Sequence, residues 1–282
     1  MRRLVFSACQ RQADRQQQVR IGCMDLGLKG KHAIVCASSR GLGRACAQAL
    51  AEAGVNLVIN GLNAERLATV AAEISDATGV TVTPVACDVS TPEGQAKLLA
   101  ACPAPDILVN NNGGPPLKDF RQLDNDAMVD GINMNMLTPI NLVQQVLDGM
   151  VERGFGRIIN ITSMTVKMPV AGLDLSSGAR AGLTAFLAGI ARTVAHKNVT
   201  INNILPGYFA TDRLDGVLNA GMARTGNDKD TVAKELAAKV PANRFGDPSE
   251  FGNTCAFLAS QYGGYITGQN ILLDGGLNPS AF

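Results

Sequence analysis

"KHAIVCASSRGLGRACAQALAEAG", Lys31 to Gly54, is the stretch that decides the fold. Its opening, "KHAIVCAS", is short, apolar and partly β-branched, which predicts a strand buried on both faces. "SRGLG" then reads as a turn. Arg44 to Gly54 carries small apolar residues at helical spacing and stops at a glycine, so it reads as a helix. Gly41 and Gly43 sit where strand gives way to helix. A glycine turn there lets backbone N–H groups approach a pyrophosphate at a helix N-terminus. The same glycines would also serve plain helix–sheet packing, so the turn needs corroboration from the rest of the chain.

The alternation continues outward. "VNLVING", "TVTPVACDV", "DILVNNNGG", "GRIINITS", "VTINNILP" and "GQNILLDGG" read as strands. Helical stretches separate most of them, the longest being Asp124 to Gly154 and Ser176 to Lys197. Apolar strands alternating with helices predict an α/β, doubly wound Rossmann-type fold: a parallel sheet of about seven strands with helices on both faces, in a single domain. Residues 1–24 are read as an N-terminal extension, a frayed tail or a misplaced start, and 25–282 as the domain. Within it Gly207 to Asp247 reads as one long irregular insertion, a substrate loop whose Leu214, Leu218 and Met222 face a pocket.

Composition excludes several classes. A net charge of +1 over 282 residues gives no electrostatic case for nucleic acid or a membrane surface. No apolar run approaches the length of a membrane span. Two histidines, His32 and His196, without metal-ligand company exclude a zinc site or a His-based triad, so no metal is expected. Seven scattered cysteines, none in a Cys-x-x-Cys pair, read as small core residues of a reduced, cytoplasmic protein.

At the end of the second strand, "INGLN" (Ile59 to Asn63) lacks the acid that holds an NAD ribose. Arg40 stands in the phosphate turn, where a guanidinium reaches a 2′-phosphate. The contrast favours NADP(H) over NAD(H), although Leu62 offers no second basic residue.

Taken in order, these pieces resemble the short-chain dehydrogenases/reductases from about Asp25 to Gly276. "CASSRGLG" resembles that family's Thr-Gly-x-x-x-Gly-x-Gly turn, with Cys36 for Thr and Ala37 for the first Gly. The resemblance places Ser38, Arg40, Gly41, Leu42 and Gly43 around the cofactor phosphates. It places Asp88 and Val89 at the adenine, and Asn110 and Gly113 in the Asn-Asn-Ala-Gly segment. Pro206, Gly207 and Thr211 fall in the Pro-Gly loop beside the nicotinamide. Asn135 takes the place of the family's structural and proton-relay Asn, and Ser163 that of the carbonyl-binding Ser. A small carbonyl or alcohol substrate is implied, 3-oxoacyl-carrier-protein-reductase-like, in a homo-oligomer (dimer or tetramer).

The resemblance fails at two positions. Thirteen residues after Ser163 the family has its acid–base Tyr, and four further on its Lys. Here those positions are Ser176 and Arg180, with no gap needed. A serine hydroxyl is a far weaker acid than a phenol, and losing general acid catalysis forfeits on the order of 10²–10⁴ in rate. Arg180 keeps a cation for the ribose hydroxyls but does not carry protons. Lys167, four after Ser163, is the leading substitute acid if it is desolvated; Asp174 and Tyr208 are weaker ones. Three readings stay open: an oxidoreductase with an altered proton donor, a nucleotide-binding sensor without catalysis, and a halohydrin-dehalogenase-like lyase.

Overall fold

A computed structural model describes residues 24–115 and 117–280. The expectation for residues 1–24 falls almost wholly outside them. The sheet has seven parallel strands in the order β3-β2-β1-β4-β5-β6-β7. These are β1 His32–Val35, β2 Asn56–Gly61, β3 Val82–Ala86, β4 Ile107–Asn110, β5 Gly156–Ile161, β6 Val199–Pro206 and β7 Asn270–Leu273. The order reverses direction between β1 and β4, so a crevice opens beyond the C-terminal ends of those two strands.

Each strand alternates between two apolar layers. Ala33, Val35, Leu57, Ile59, Ile107 and Val109 pack on one face with α1 (Gly41–Glu52), α2 (Ala64–Thr78) and α9 (Pro248–Ala259). Ile34, Val58, Leu108, Ile158 and Ile201 pack on the other with α3 (Pro92–Ala101), α5 (Thr138–Arg153) and α6 (Asp174–Val194). Period-two geometry and burial on both sides explain why the central strands read as unbroken apolar runs. β3 departs from that expectation. It is an edge strand with Thr83, Pro84 and Ala86 exposed, and its proline is tolerated because one side has no ladder partner.

One further expectation needs correction. The insertion at Gly207 to Asp247 is largely helical, with α7 (Asp212–Thr225) and α8 (Lys229–Ala237). Leu214 and Leu218 are buried against Val232 of α8, with Met222 packed beside them, so they close a small apolar cluster. The polar composition concealed amphipathic helices. The long helix before β5 is present and carries a π-helical turn: α4 (Asn125–Ile132) runs through Asn133–Leu137 into α5. One extra residue per turn rotates the side chains at that point, and such turns mark functional sites often.

Candidate active site

The phosphate turn is built by backbone contact. A Cβ on Gly43 would lie 2.3 Å from the Ala37 carbonyl oxygen, so only glycine lets α1 seat against the turn. Gly41 has φ +57, and Ala37 adopts φ +44 where the family pattern has glycine. The α1 N-terminus has no side-chain cap and no acid in its first turn, so its N–H groups are left for an anion. These features fit the pyrophosphate of a dinucleotide. Thr211 faces the turn, its methyl carbon 3.8 Å from where a Gly41 Cβ would stand. Arg40 is exposed and paired with Asp212 of α7 at 3.3 Å, so phosphate turn and insertion meet across the crevice. Ser38, by contrast, is fully buried; its hydroxyl donates to the Val35 carbonyl at 2.7 Å and accepts from Asn60 N–H, so it serves the fold.

Beyond the phosphate turn, Asp88 caps the Ser90 N–H at 2.8 Å, and Val89 is buried. Leu62, just past β2, is exposed where an acid would hold the ribose. At the Pro-Gly loop a Cβ on Gly207 would lie 2.7 Å from Asp274 Cα, so Pro206 and Gly207 bring β6 against the backbone after β7.

A polar layer missed from the sequence crosses the sheet at the same level. On the α3/α5/α6 face, two residues beyond Ile34, Val58, Leu108, Ile158 and Ile201, stand Cys36, Asn60, Asn110, Asn160 and Asn203. Asn110, Asn160, Asn203 and Asn270 are in register on four adjacent strands. Each donates its amide to the next: Asn110 to Asn160 at 2.9 Å, Asn160 to Asn203 at 2.9 Å, Asn203 to Asn270 at 2.8 Å. Buried amides are tolerable because they satisfy one another. Burial pushes the Cys36 thiol in this layer up to about 12, so it stays protonated.

The ladder leaves one acceptor unused, Asn110 Oδ1, at the end facing α5. The π-turn buries Asn135 here; its amide donates to Gly131 O at 3.4 Å. Asn110 Oδ1, Asn135 Oδ1 and Thr138 Oγ1 are buried without a hydrogen-bond partner among the described residues. They line one small cavity of about 20 Å³, room for a single water, with Asn112 and Arg180 in its wall.

Arg180 occupies the centre of the site. Its Nε donates to Ser176 Oγ at 3.2 Å, and Nη1 donates to the carbonyls of Ile161 at 2.8 Å and Thr162 at 3.2 Å. Both N–H groups of Nη2 have no partner among the described residues. Burial of the head group, and secondarily the nearby Arg213 charge, pushes Arg180 down to about 10, so it is charged at neutral pH. Ser176 is buried and held by this bond. Ser163 begins a short 3₁₀ turn at the end of β5; its Oγ accepts from Thr165 N at 3.2 Å and Thr165 Oγ1 at 3.0 Å. Its own proton is left to donate.

The substitute acids fare worse. Lys167 is exposed and lacks the desolvation its claim needs. Asp174 is exposed and accepts from Gly172 N–H at 3.0 Å. Tyr208 packs into the Leu214 cluster, where burial raises its phenol further from neutrality. Asp212, Arg213, Asn160, Asn203 and Asn270 belong to the neighbourhood but gave no sequence signal, because only the register and the α7 start reveal them. No group of metal ligands exists among the described residues, and no helix among them is long and apolar enough to cross a membrane.

A family model described as enoyl-(acyl carrier protein) reductase matches residues 36–278. The 3-oxoacyl-(acyl-carrier-protein) reductase FabG of Vibrio harveyi is 37% identical over 254 residues, covering 89% of this chain and 99% of the relative. Among solved structures, L-sorbose reductase from Gluconobacter frateurii complexed with NADPH and L-sorbose superposes with a TM-score of 0.86 at 28% identity, covering 91% of this chain and 100% of that one. YwfH, an NADPH dependent reductase involved in bacilysin biosynthesis, superposes at 0.84 with 30% identity over 89% of this chain and 99% of its own. The chain belongs to the short-chain dehydrogenase/reductase family. It is a nicotinamide-dependent oxidoreductase.

Proposed function

We propose that this protein reduces a carbonyl with NADPH, using Ser163 to hold the oxygen and Arg180, in place of a phenol, to stabilise the charge that develops on it. The bonding of Arg180 carries the reading. Three of its five N–H groups fix the guanidinium at the end of β5, one residue from Ser163, and two are left to meet a ligand. The fixed charge costs no reorganisation at the moment of reaction, which is what electrostatic stabilisation of an oxyanion requires.

The bound nicotinamide supplies the hydride for the carbonyl carbon. Ser163 donates a hydrogen bond to the substrate oxygen, and Thr165 holds that hydroxyl in place. Arg180 keeps its proton, so the one that ends on the product oxygen comes from water in the open crevice. Ser176 positions the guanidinium by accepting from Nε and is not an acid at neutral pH. Asn135, in the cavity wall beside Arg180, supports the floor of the site.

For the cofactor, the N–H groups of Gly41, Leu42 and Gly43 receive the pyrophosphate, and Arg40 leaves Asp212 for a 2′-phosphate. An exposed ion pair is worth little, so exchanging Asp212 for a phosphate is favourable. Asp88, Val89, Asn110, Gly113, Pro206, Gly207 and Thr211 line the remaining length. The reductase of 3-oxoacyl thioesters among its relatives makes such ketones the first substrates to try. The exposed apolar side chains Met128, Val129, Ile132, Leu137 and Phe186 support a homo-oligomer. Ser176 alone favours the second reading, a nucleotide sensor.

Steady-state NADPH oxidation with activated ketones, diketones and 3-oxoacyl thioesters separates the two. Turnover that falls on the order of 10²-fold in Ser163→Ala supports the reductase. Tight NADPH binding with no turnover on any carbonyl overturns it.

A further inference from the structure

The π-turn leaves one backbone carbonyl that its own helix cannot serve. Thr138 N–H bonds back to Asn133 O, five residues before it, as a π-helical turn requires. The next carbonyl, Met134 O, would receive from Pro139, which has no N–H. A backbone carbonyl in a crevice wall needs a donor from elsewhere. Asn112 supplies it: its Nδ2 donates to Met134 O at 3.3 Å.

The second hydrogen of that amide goes to Ser90 Oγ at 2.8 Å, and Oδ1 accepts from Gly113 N–H at 2.8 Å. The amide cannot be turned over, because Met134 O has no hydrogen to offer Oδ1. Ser90 follows Asp88 and Val89 directly, and Asp88 Oδ1 holds its N–H at 2.8 Å. Thr91 then caps α3 by accepting from Gly94 N–H at 3.0 Å. At the other end Met134 adjoins Asn135, and Asn112, Met134, Asn135 and Arg180 wall the same cavity. One half-buried side chain thus joins the loop before α3 to the π-turn beside Arg180. The Asn-Asn-Ala-Gly segment carries alanine at this place, and alanine makes neither bond.

We propose that Asn112 is a positioning residue that couples the adenosine end of the cofactor site to its catalytic end. A nucleotide held at Asp88 and Val89 fixes Ser90, Ser90 fixes the Asn112 amide, and Asn112 holds the π-turn that carries Asn135. The remote half of the cofactor thereby orders the place where the hydride moves. The inference rests on the cofactor placement proposed above and does not depend on which group delivers the proton.

The test is hydrogen exchange of the full chain, read by mass spectrometry, with and without adenosine 2′,5′-bisphosphate. That probe has the adenosine half of NADPH and no nicotinamide. In the wild type it should slow exchange both at residues 88–94 and at residues 131–137, by on the order of tenfold, the size of one hydrogen bond. In Asn112→Ala the first segment should still slow and the second should not. Asn112→Asp keeps the shape and the Gly113 bond but donates nothing, so it should behave alike and serves if the alanine variant does not fold. Protection of the π-turn that survives both changes overturns the proposal. So does a wild type in which the bound probe protects only the loop before α3. If calorimetry finds no binding of the probe to the wild type, the cofactor placement fails, and the link is decided without ligand. Faster exchange at residues 131–137 in Ser90→Ala, which cuts only the far end of the link, then supports it; unchanged exchange overturns it.

Discussion

At the scale of the residue, the chemistry turns on what a serine and an arginine do where a phenol and an ammonium are usual. Ser163→Ala removes the donor to the substrate oxygen and should lower kcat/KM on the order of 10²-fold. Ser176→Ala should cost less, because the hydroxyl only orients Arg180, and Ser176→Thr should recover most of the loss. The pH profile is the sharper readout. Arg180 is pushed down to about 10 and a serine hydroxyl does not titrate, so kcat should stay flat from about pH 6 to about pH 9. A limb near neutrality would reveal a titrating acid elsewhere. The strained Ala37 invites a separate change. Ala37→Gly relieves φ +44 and, after the greater freedom of the unfolded chain is deducted, should stabilise the protein by up to about 1 kcal/mol, read as a rise in Tm.

At the scale of the element, the asparagine ladder joins four strands beneath the site. Asn160→Leu strands the amide of Asn110 and an acceptor on Asn203, and should destabilise the fold by about 2–4 kcal/mol in urea titrations. The N-terminus of α9 gives a pH-dependent counterpart. Asp247 and Glu250 form a reciprocal cap, and Arg244 holds Glu250 by two hydrogen bonds, which lowers its carboxyl to about 2. A folded pKa below the unfolded one adds stability that is present above about pH 4.5 and lost as pH falls toward 2. Hydrogen exchange at the start of α9 should quicken across that window, and Glu250→Gln should flatten the change. These elements also show why the sequence was only partly readable. Strand and helix order followed from apolar periodicity, and Gly41 and Gly43 from their place between β1 and α1. The ladder was invisible because single asparagines in "LVNN", "IINI" and "INNI" become a network only once the strands are in register. The π-turn at Asn133–Leu137 leaves no periodic trace in so short a span. α7 and α8 were hidden by a polar surface.

At the scale of the whole molecule, the crevice beyond β1 and β4 gathers parts from distant stretches: the phosphate turn, Asn110 and its ladder, the π-turn, Ser163, Arg180 and the start of α7. Fold and cofactor turn were legible because glycines and apolar runs are dictated by backbone geometry. The substitution at Ser176 and Arg180 was legible from the spacing after Ser163, but the bonding of Arg180 was not, because its carbonyl partners lie on another element. In the proposed mechanism Arg180 offsets the missing phenol by holding a fixed charge at the end of β5. The most direct measurement of that claim is transfer of deuterium from NADPH deuterated at the nicotinamide C4 to an activated ketone, followed by mass spectrometry of the product alcohol. The account predicts label on the carbinol carbon with the wild type, and transfer slowed on the order of 10²-fold in both Ser163→Ala and Arg180→Met. Bound NADPH that yields no labelled product from any oxo acid, ester or thioester would contradict it.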